Sequence, residues 1–131
     1  MADSPCALAA RSCKACDGNV EPLAWEQAEQ LRSQLGGSWE LSPPPPGGGS
    51  SGGRLSAAVV FKGRGAFAKA VDCIGSIRDV AEAEGHHPDL HLTAFKNLRI
   101  EIYTHSIDAL TESDFILAAK IQEQVLAAVK L

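Results

Sequence analysis

The segment from Ala66 to Glu84 constrains the fold of this chain most strongly, because its apolar residues follow the period of an α-helix. They recur at spacings of three and four residues and form one stripe, at Phe67, Val71, Ile74, Ile77 and Ala81. Gly85 follows, where a left-handed C-terminal cap is usual, and Pro88 prevents the helix from continuing. The sequence therefore predicts a long amphipathic helix that ends beside His86 and His87.

Six further segments carry helix or strand patterns of their own. They are a helix over 23–35 with apolar residues at 24, 28, 31 and 35, strands over 39–41 and 54–61, a hairpin of strands over 90–95 and 98–104 that turns at Lys96-Asn97, and a final helix that begins at Thr111. The final helix opens on a segment similar to a capping box, in which Asp114 takes the place of the usual Glu.

The order of these elements is α-β-β-α-β-β-α. Consecutive strands joined by short connections pair antiparallel. We therefore predict an α+β, two-layer fold, in which a four-stranded antiparallel sheet carries its helices on one face. The exposed edges of so small a sheet favour strand-to-strand oligomerisation.

Composition divides the chain into two regions. Residues 1–21 lack periodicity and are expected to form a flexible N-terminal tail, which contains the pair Cys13 and Cys16. Residues 22–131 are expected to form a single domain. Within it, residues 43–53 are almost entirely Pro, Gly and Ser, so we interpret them as a loop insertion rather than as a domain boundary.

Charge and hydropathy exclude several functional classes. The net charge of −4 and the scattered basic residues argue against a nucleic-acid surface. No apolar run approaches the ~20 residues of a membrane span. The first residues lack the pattern of a secretory signal, which favours a cytoplasmic protein, or an organellar one if a transit peptide precedes this sequence. Without such a signal the cysteines are expected to be reduced, with Cys73 as a small core residue.

The histidines indicate where chemistry takes place. His86 and His87 follow the long helix, and His105 ends a strand, so a helix end and a strand end can converge on one cleft. Histidine exchanges protons near neutral pH, since its unperturbed pKa is ~6.5. Glu82 lies four residues before His86, a spacing that allows the two side chains to pair if the last helical turn persists.

Other residues near the histidines have simpler interpretations. Asp114 is interpreted as a first-turn capping acid, and His91 as a surface residue of a strand. A metal protein is the alternative, because Cys13 and Cys16 form half of a zinc site and histidines are available. No second ligand pair follows at a fitting spacing, so we expect no metal.

The spaced set as a whole resembles the signature of the pterin-4a-carbinolamine dehydratases. The pattern is an acid, then His-His-Pro, an aromatic residue, a histidine and an aspartate, here Glu82, His86-His87-Pro88, Phe95, His105 and Asp114. The stretches 97–105 and 109–118 continue the resemblance, which spans roughly residues 22–131. Asp89-Leu90 departs from it, since an acid-aromatic pair is common at this place in animal members.

The resemblance implies an activity and a set of roles. Members of the family dehydrate 4a-hydroxytetrahydropterins to quinonoid dihydropterins, which recycles the pterin of aromatic amino acid hydroxylases, and they need no metal or organic cofactor. By position, His86 and His105 are similar to the acid/base pair, and Glu82 is expected to orient His86. The residues implied in substrate binding are His87, Pro88, Asp89 and Thr104.

The resemblance also implies partners. Members typically form homodimers or homotetramers, and a functional link to a hydroxylase is expected. Some relatives act as a dimerisation cofactor of a transcription factor or in protein assembly, so the alternative is a non-catalytic binding protein. Retention of Glu82, His86, His87 and His105 favours catalysis.

Overall fold

The computed structural model describes residues 21–43 and 53–129. Its helices and strands are, in chain order, α1 Trp25–Ser33, β1 Glu40–Ser42, β2 Arg54–Val60, α2 Ala66–Glu84, β3 Asp89–Thr93, β4 Asn97–Ile102 and α3 Glu112–Gln124, followed by a 3₁₀ turn at Leu126–Ala128. The four strands form one sheet in the order β1-β2-β4-β3, and every neighbouring pair is antiparallel. The predicted α+β fold and its α-β-β-α-β-β-α order are confirmed.

Strand β4 is an inner strand of the sheet, and its side chains alternate between the core and the opposite face. Leu98, Ile100 and Ile102 are buried, whereas Arg99 and Glu101 lie on the opposite face. This is the alternation of a strand with one covered face. The covered face packs against the helices, of which α3 is the most deeply buried, since Phe115 to Ala119 are all buried.

The buried face of α2 differs from the predicted one. Ile77 and Ala81 are buried as expected, but Phe67 is 56% exposed and Val71 is 44% exposed. The helix instead buries mainly small residues along its length, at Ala66, Ala70, Cys73, Ile77, Val80 and Ala81. Small side chains allow α2 to approach its neighbours closely, and the prediction based on the larger apolar side chains was wrong at these two positions.

Several element boundaries also differ from the predictions. The hairpin turns at 94–96 rather than at Lys96-Asn97, because Ala94 and Phe95 both adopt positive φ angles, of 47° and 55°. Asn97 is already part of β4 and pairs with Thr93. Helix α1 begins at Trp25, and the preceding Ala24 is its exposed N-cap rather than a core residue.

Some predictions concern residues outside the described ranges. The expected flexible tail, with Cys13 and Cys16, and the central part of the loop insertion over 43–53 belong to this group. Within the described ranges, no helix combines the length and apolar character that crossing a bilayer requires.

Candidate active site

The C-terminal end of α2 directs the two adjacent histidines to different environments. Gly85 caps the helix in the left-handed conformation, with φ of 66°, so the chain leaves the helix axis immediately after Glu84. His86 then turns inward and is only 6% exposed. The side chain of His87 turns outward and is 57% exposed.

The imidazole of His86 is held by a residue from the start of α3. His86 Nε2 lies 2.5 Å from Asp114 Oδ1. Asp114 is fully buried, and its other oxygen accepts hydrogen bonds from the Thr111 backbone N–H at 2.7 Å and the Thr104 hydroxyl at 3.0 Å. The predicted capping role of Asp114 is confirmed, and the same carboxylate also binds His86.

The surroundings of Asp114 explain how a carboxylate is accommodated in the core. A buried charge is costly unless it is hydrogen-bonded and paired. Asp114 has donors at both oxygens and lies in the first turn of α3, where the helix dipole favours a negative charge. Because the carboxylate accepts from His86 Nε2–H, it fixes the ring orientation and tautomer of this histidine.

Glu82 pairs with His87, not with His86 as the four-residue spacing suggested. Glu82 Oε2 lies 2.5 Å from His87 Nε2, and both side chains are more than half exposed. The expected pairing is wrong because Gly85 breaks the helical register between Glu82 and His86. The carboxylate that orients His86 is therefore Asp114, and Glu82 acts on the outward-facing imidazole.

The third histidine forms its own carboxylate pair. His105 Nε2 lies 3.2 Å from Oδ1 of Asp89, the first residue of β3. Both side chains are partly accessible, at 48% for His105 and 38% for Asp89. His105 follows Thr104, whose backbone pairs with Ala109 in an isolated bridge, so the imidazole lies at the base of a closed turn.

These contacts bring three segments of the chain together. Asp89 binds His105, and the preceding Thr104 binds Asp114, which in turn binds His86. The predicted site residues Glu82, His86, His87, Asp89 and His105 are thus linked through these contacts and through the chain neighbours His86–His87 and Thr104–His105. The result is a set of three imidazole–carboxylate pairs, of which one is buried and two are accessible.

Thr104 and Pro88 differ in how they relate to this region. The hydroxyl of Thr104 is directed inward to Asp114 and Thr111, and the residue is 5% exposed. This arrangement favours a supporting role for Thr104. Pro88 is the trans-linked residue between the histidine pair and β3, and it fixes the direction in which the chain enters that strand.

A second group of polar side chains lies on the sheet face away from the helices. Potential ligand atoms of Asp89, His91 and Glu101 lie within 4.8 Å of one another. From the sequence alone, His91 is predicted to be an isolated surface residue. Glu101 is paired with Arg99 at 3.0 Å and Asp89 with His105, so a cation would compete with both of these contacts. We interpret the group as a charged sheet face.

Four hollows among the described residues have no histidine in their lining. One of about 300 Å³ lies between α2 and the C-terminal 3₁₀ turn, and Phe61, Cys73 and Val129 contribute to its lining. Burial raises the pKa of the Cys73 thiol, which keeps it protonated and poorly nucleophilic. We therefore place the candidate site at the histidines.

Comparison with known proteins points to one family. A family profile described as "Pterin 4 alpha carbinolamine dehydratase" matches residues 21–124. A mitochondrial pterin-4-alpha-carbinolamine dehydratase 2 of Arabidopsis thaliana is 39% identical over 116 residues, which cover 88% of this chain and 58% of the relative. A Nitrosomonas eutropha protein that carries the same dehydratase name provisionally is 36% identical over 116 residues, covering 88% of this chain and 91% of the relative.

A solved structure shares the fold. The crystal structure of a transcriptional coactivator/pterin dehydratase from Brucella melitensis superposes with a TM-score of 0.61, covering 80% of this chain and 99% of that one. Its sequence identity is 22%, so this comparison supports the fold alone. The profile match over residues 21–124 and the 36% identity to a relative that is covered over 91% of its length show that the chain belongs to the pterin-4-alpha-carbinolamine dehydratase family.

Proposed function

We propose that His105 and His86 perform the acid/base steps of 4a-carbinolamine dehydration in this protein. The dehydratase activity itself, that of a hydro-lyase acting on a pterin, follows from family membership. The observation that supports the roles of the residues is that two imidazole–carboxylate pairs, His86–Asp114 and His105–Asp89, are linked through Thr104, which binds Asp114 and directly precedes His105.

The reaction requires two proton transfers. The C4a–O bond breaks and the hydroxyl leaves as water, for which a general acid supplies a proton. The N5–H bond also breaks, and its electron pair forms the C4a=N5 double bond of the quinonoid product while a general base accepts the proton. Imidazoles suit both steps because they exchange protons near neutral pH, and each step contributes ~10²–10⁴-fold in rate.

The two imidazoles are suited to these steps in different ways. His105 is accessible, so it can meet a substrate that approaches from solvent. His86 is nearly buried, and Asp114 fixes its Nε2–H, which assigns any exchange with substrate to the other ring nitrogen. This resembles the carboxylate–imidazole arrangement of catalytic triads, where the carboxylate sets the tautomer. Which histidine is the acid and which the base stays open.

The remaining site residues are proposed to bind the pterin. His87 is outward-facing, and Glu82 holds its ring, so it presents a flat surface with a fixed orientation. Pro88 and Asp89 continue from it into β3 and form the adjacent wall of the site. Thr104, proposed from the resemblance as a substrate contact, supports the site from beneath through Asp114.

The test is the dehydration of a 4a-carbinolamine, followed by absorbance, with the wild type and two histidine variants. His105→Ala should lose ~10²-fold or more in kcat if it removes an acid/base group. His91→Ala is the matched control, because His91 is an exposed imidazole on the same side of β3 as Asp89. A folded wild-type protein that gives no acceleration over buffer but binds a pterin or a protein would favour the non-catalytic alternative.

We also propose that the chain forms a homodimer or homotetramer. Phe67 and Val71 lie exposed on α2, and an apolar helix face of this kind is typical of an interaction surface. Sedimentation of the wild type and of Phe67→Ser/Val71→Ser should yield a smaller species for the double variant. If the wild type and the double variant have equal masses at all concentrations, α2 is not the interface.

The wider cellular role is likewise a proposal. We propose that the protein recycles tetrahydrobiopterin or a related pterin for an aromatic amino acid hydroxylase. A cytoplasmic location remains the prediction from sequence, and the name of the Arabidopsis relative places that protein in mitochondria. The test is a reconstituted mixture with a hydroxylase, in which the product formed per pterin is measured with and without this protein. A loss of hydroxylase activity in its absence would support the functional link.

A further inference from the structure

Arg54 links the start of β2 to the turn that carries His105. Its guanidinium lies 3.5 Å from the centroid of the Tyr103 ring and donates a hydrogen bond to Asp108 Oδ1 at 2.7 Å. The pairing register explains the first contact, because Leu55 lies opposite Ile102 and the residues that follow this last pair are Arg54 and Tyr103. A cation against an aromatic face is attracted by the quadrupole of the ring.

Tyr103 in turn contacts the imidazole of His105. The two ring centroids are 4.4 Å apart and the planes meet at 67°, an edge-to-face arrangement. Such geometry is favourable for aromatic pairs and restricts the rotation of both rings. Arg54, Tyr103 and His105 therefore form a continuous stack, which we call the Arg54 stack.

Asp108 connects this stack to the other end of the same turn. Its backbone N–H donates to the His105 carbonyl at 3.3 Å, and its φ is 50°. The Thr104–Ala109 bridge closes the turn at its base. Arg54 thus holds the far end of the turn through Asp108 and its start through Tyr103.

We propose that Arg54 and Tyr103 are positioning residues that set the orientation of His105 for proton transfer. The proposal rests on the function proposed above. His105 is about half exposed, and its hydrogen bond to Asp89 is 3.2 Å long, so that bond alone leaves the ring freedom to rotate. The Arg54 stack restricts this freedom from the side of β2. Catalysis is sensitive to such placement, since an error of about 1 Å can cost ~10²-fold in rate.

Variants at Arg54 separate positioning from substrate binding. In Arg54→Ala we expect kcat to fall by about 10-fold or more while KM changes by less than about threefold, because the catalytic group is misplaced but the pterin contacts remain. Arg54→Lys keeps the cation but loses the planar guanidinium, and we expect partial recovery. Arg78→Ala is the matched control, since Arg78 is an exposed arginine on α2 that is also paired with an aspartate.

Variants at Tyr103 allow a measurement on His105 itself, which would not change if Tyr103 only stabilised the fold. Tyr103→Phe keeps the ring and should retain kcat within about threefold, whereas Tyr103→Leu should resemble Arg54→Ala. In the NMR spectrum, the ring protons of His105, assigned by their loss in His105→Gln, should shift in Tyr103→Leu, which removes the neighbouring ring current. They should also shift in Arg54→Ala, which keeps both rings and therefore reports reorientation, and they should remain in place in Tyr103→Phe and Arg78→Ala.

The outcomes distinguish this inference from the proposed function. If Arg54→Ala and Tyr103→Leu are folded and keep wild-type kcat while His105→Ala is inactive, the positioning role is refuted and the dehydratase mechanism stands. If the wild type does not accelerate dehydration, the proposed function fails, and the His105 shifts in Arg54→Ala, which keeps the Tyr103 ring, still decide whether the Arg54 stack orients His105. Unchanged His105 shifts in Tyr103→Leu would overturn the stack itself.

Discussion

Replacement of Asp114 by alanine is expected to destabilise the protein strongly. The carboxylate is fully buried and accepts hydrogen bonds from His86, Thr111 and Thr104. In Asp114→Ala the hydroxyl of Thr104 keeps Thr111 Oγ1 as a partner at 2.9 Å, so two donors, His86 Nε2–H and the Thr111 backbone N–H, lose this acceptor. A buried donor without its partner costs about 1–3 kcal/mol, and loss of a charged acceptor brings the total to about 3–5 kcal/mol.

This loss is a large share of the stability of a domain, which is about 5–15 kcal/mol. Urea unfolding followed by circular dichroism measures the loss of stability. In thermal unfolding, Tm should decrease by about 12–20 °C, at about 4 °C per kcal/mol for this chain length. Asp79→Ala is the control, because Asp79 is a 70% exposed partner of an exposed arginine, and it should change stability by less than about 0.5 kcal/mol.

A double-mutant cycle with His86→Ala tests the contact itself. If the two side chains interact as described, the double variant should be more stable than the sum of the single changes indicates, by about 1–3 kcal/mol. Additive effects, or an Asp114→Ala variant that loses less than about 1 kcal/mol, would refute the reasoning that this carboxylate organises the buried half of the site.

Three further predictions concern the scaffold. Gly85→Ala should lose about 1–2 kcal/mol because φ is 66° there. Gly75→Ala, within α2, should gain about 0.5–1 kcal/mol because an added Cβ would meet only the end of the Arg78 side chain, at 3.9 Å; urea unfolding of both variants measures the difference in sign. Burial raises the pKa of the Cys73 thiol above 9.0. The contribution of the thiol to stability is therefore complete below pH 9 and is lost as the pH rises through the folded-state pKa. Cys73→Ala should show a smaller decline in stability between pH 8 and pH 10 than the wild type. Trp39→Phe removes a 2.9 Å hydrogen bond from Nε1 to Gln122 and should lose about 1 kcal/mol in the same unfolding assay, and an unchanged midpoint would show that this bond adds nothing.

Local signals explain why the order of elements was predictable from sequence. Helix α2 ends at the Gly85 cap, before Pro88, and α3 begins after the Thr111 cap, as predicted. Helix capping and termination depend only on neighbouring residues, so the sequence reveals them directly. The buried face of α2 was not predictable in the same way. Its sequence carries one stripe with Phe67 and Val71 and another with small residues, and only the packing partner determines which one is buried.

The candidate site was predictable as a set of residues but not as a set of contacts. The spacing of the histidines and acids indicated which side chains matter. The partner of His86 was missed because Asp114 lies 28 residues away and had a sufficient explanation as a capping residue. Arg54 and Tyr103 carried no signal at all, since their proximity to His105 depends on the register between β2 and β4.

The most direct test of the proposed mechanism is a comparison of turnover with pterin affinity in His105→Gln and His86→Gln. We expect kcat for 4a-carbinolamine dehydration to fall by ~10²–10⁴-fold in each, while the Kd of a dihydropterin, measured by fluorescence, changes by less than about 10-fold. The opposite result, folded variants with wild-type kcat, would contradict acid/base catalysis by these histidines.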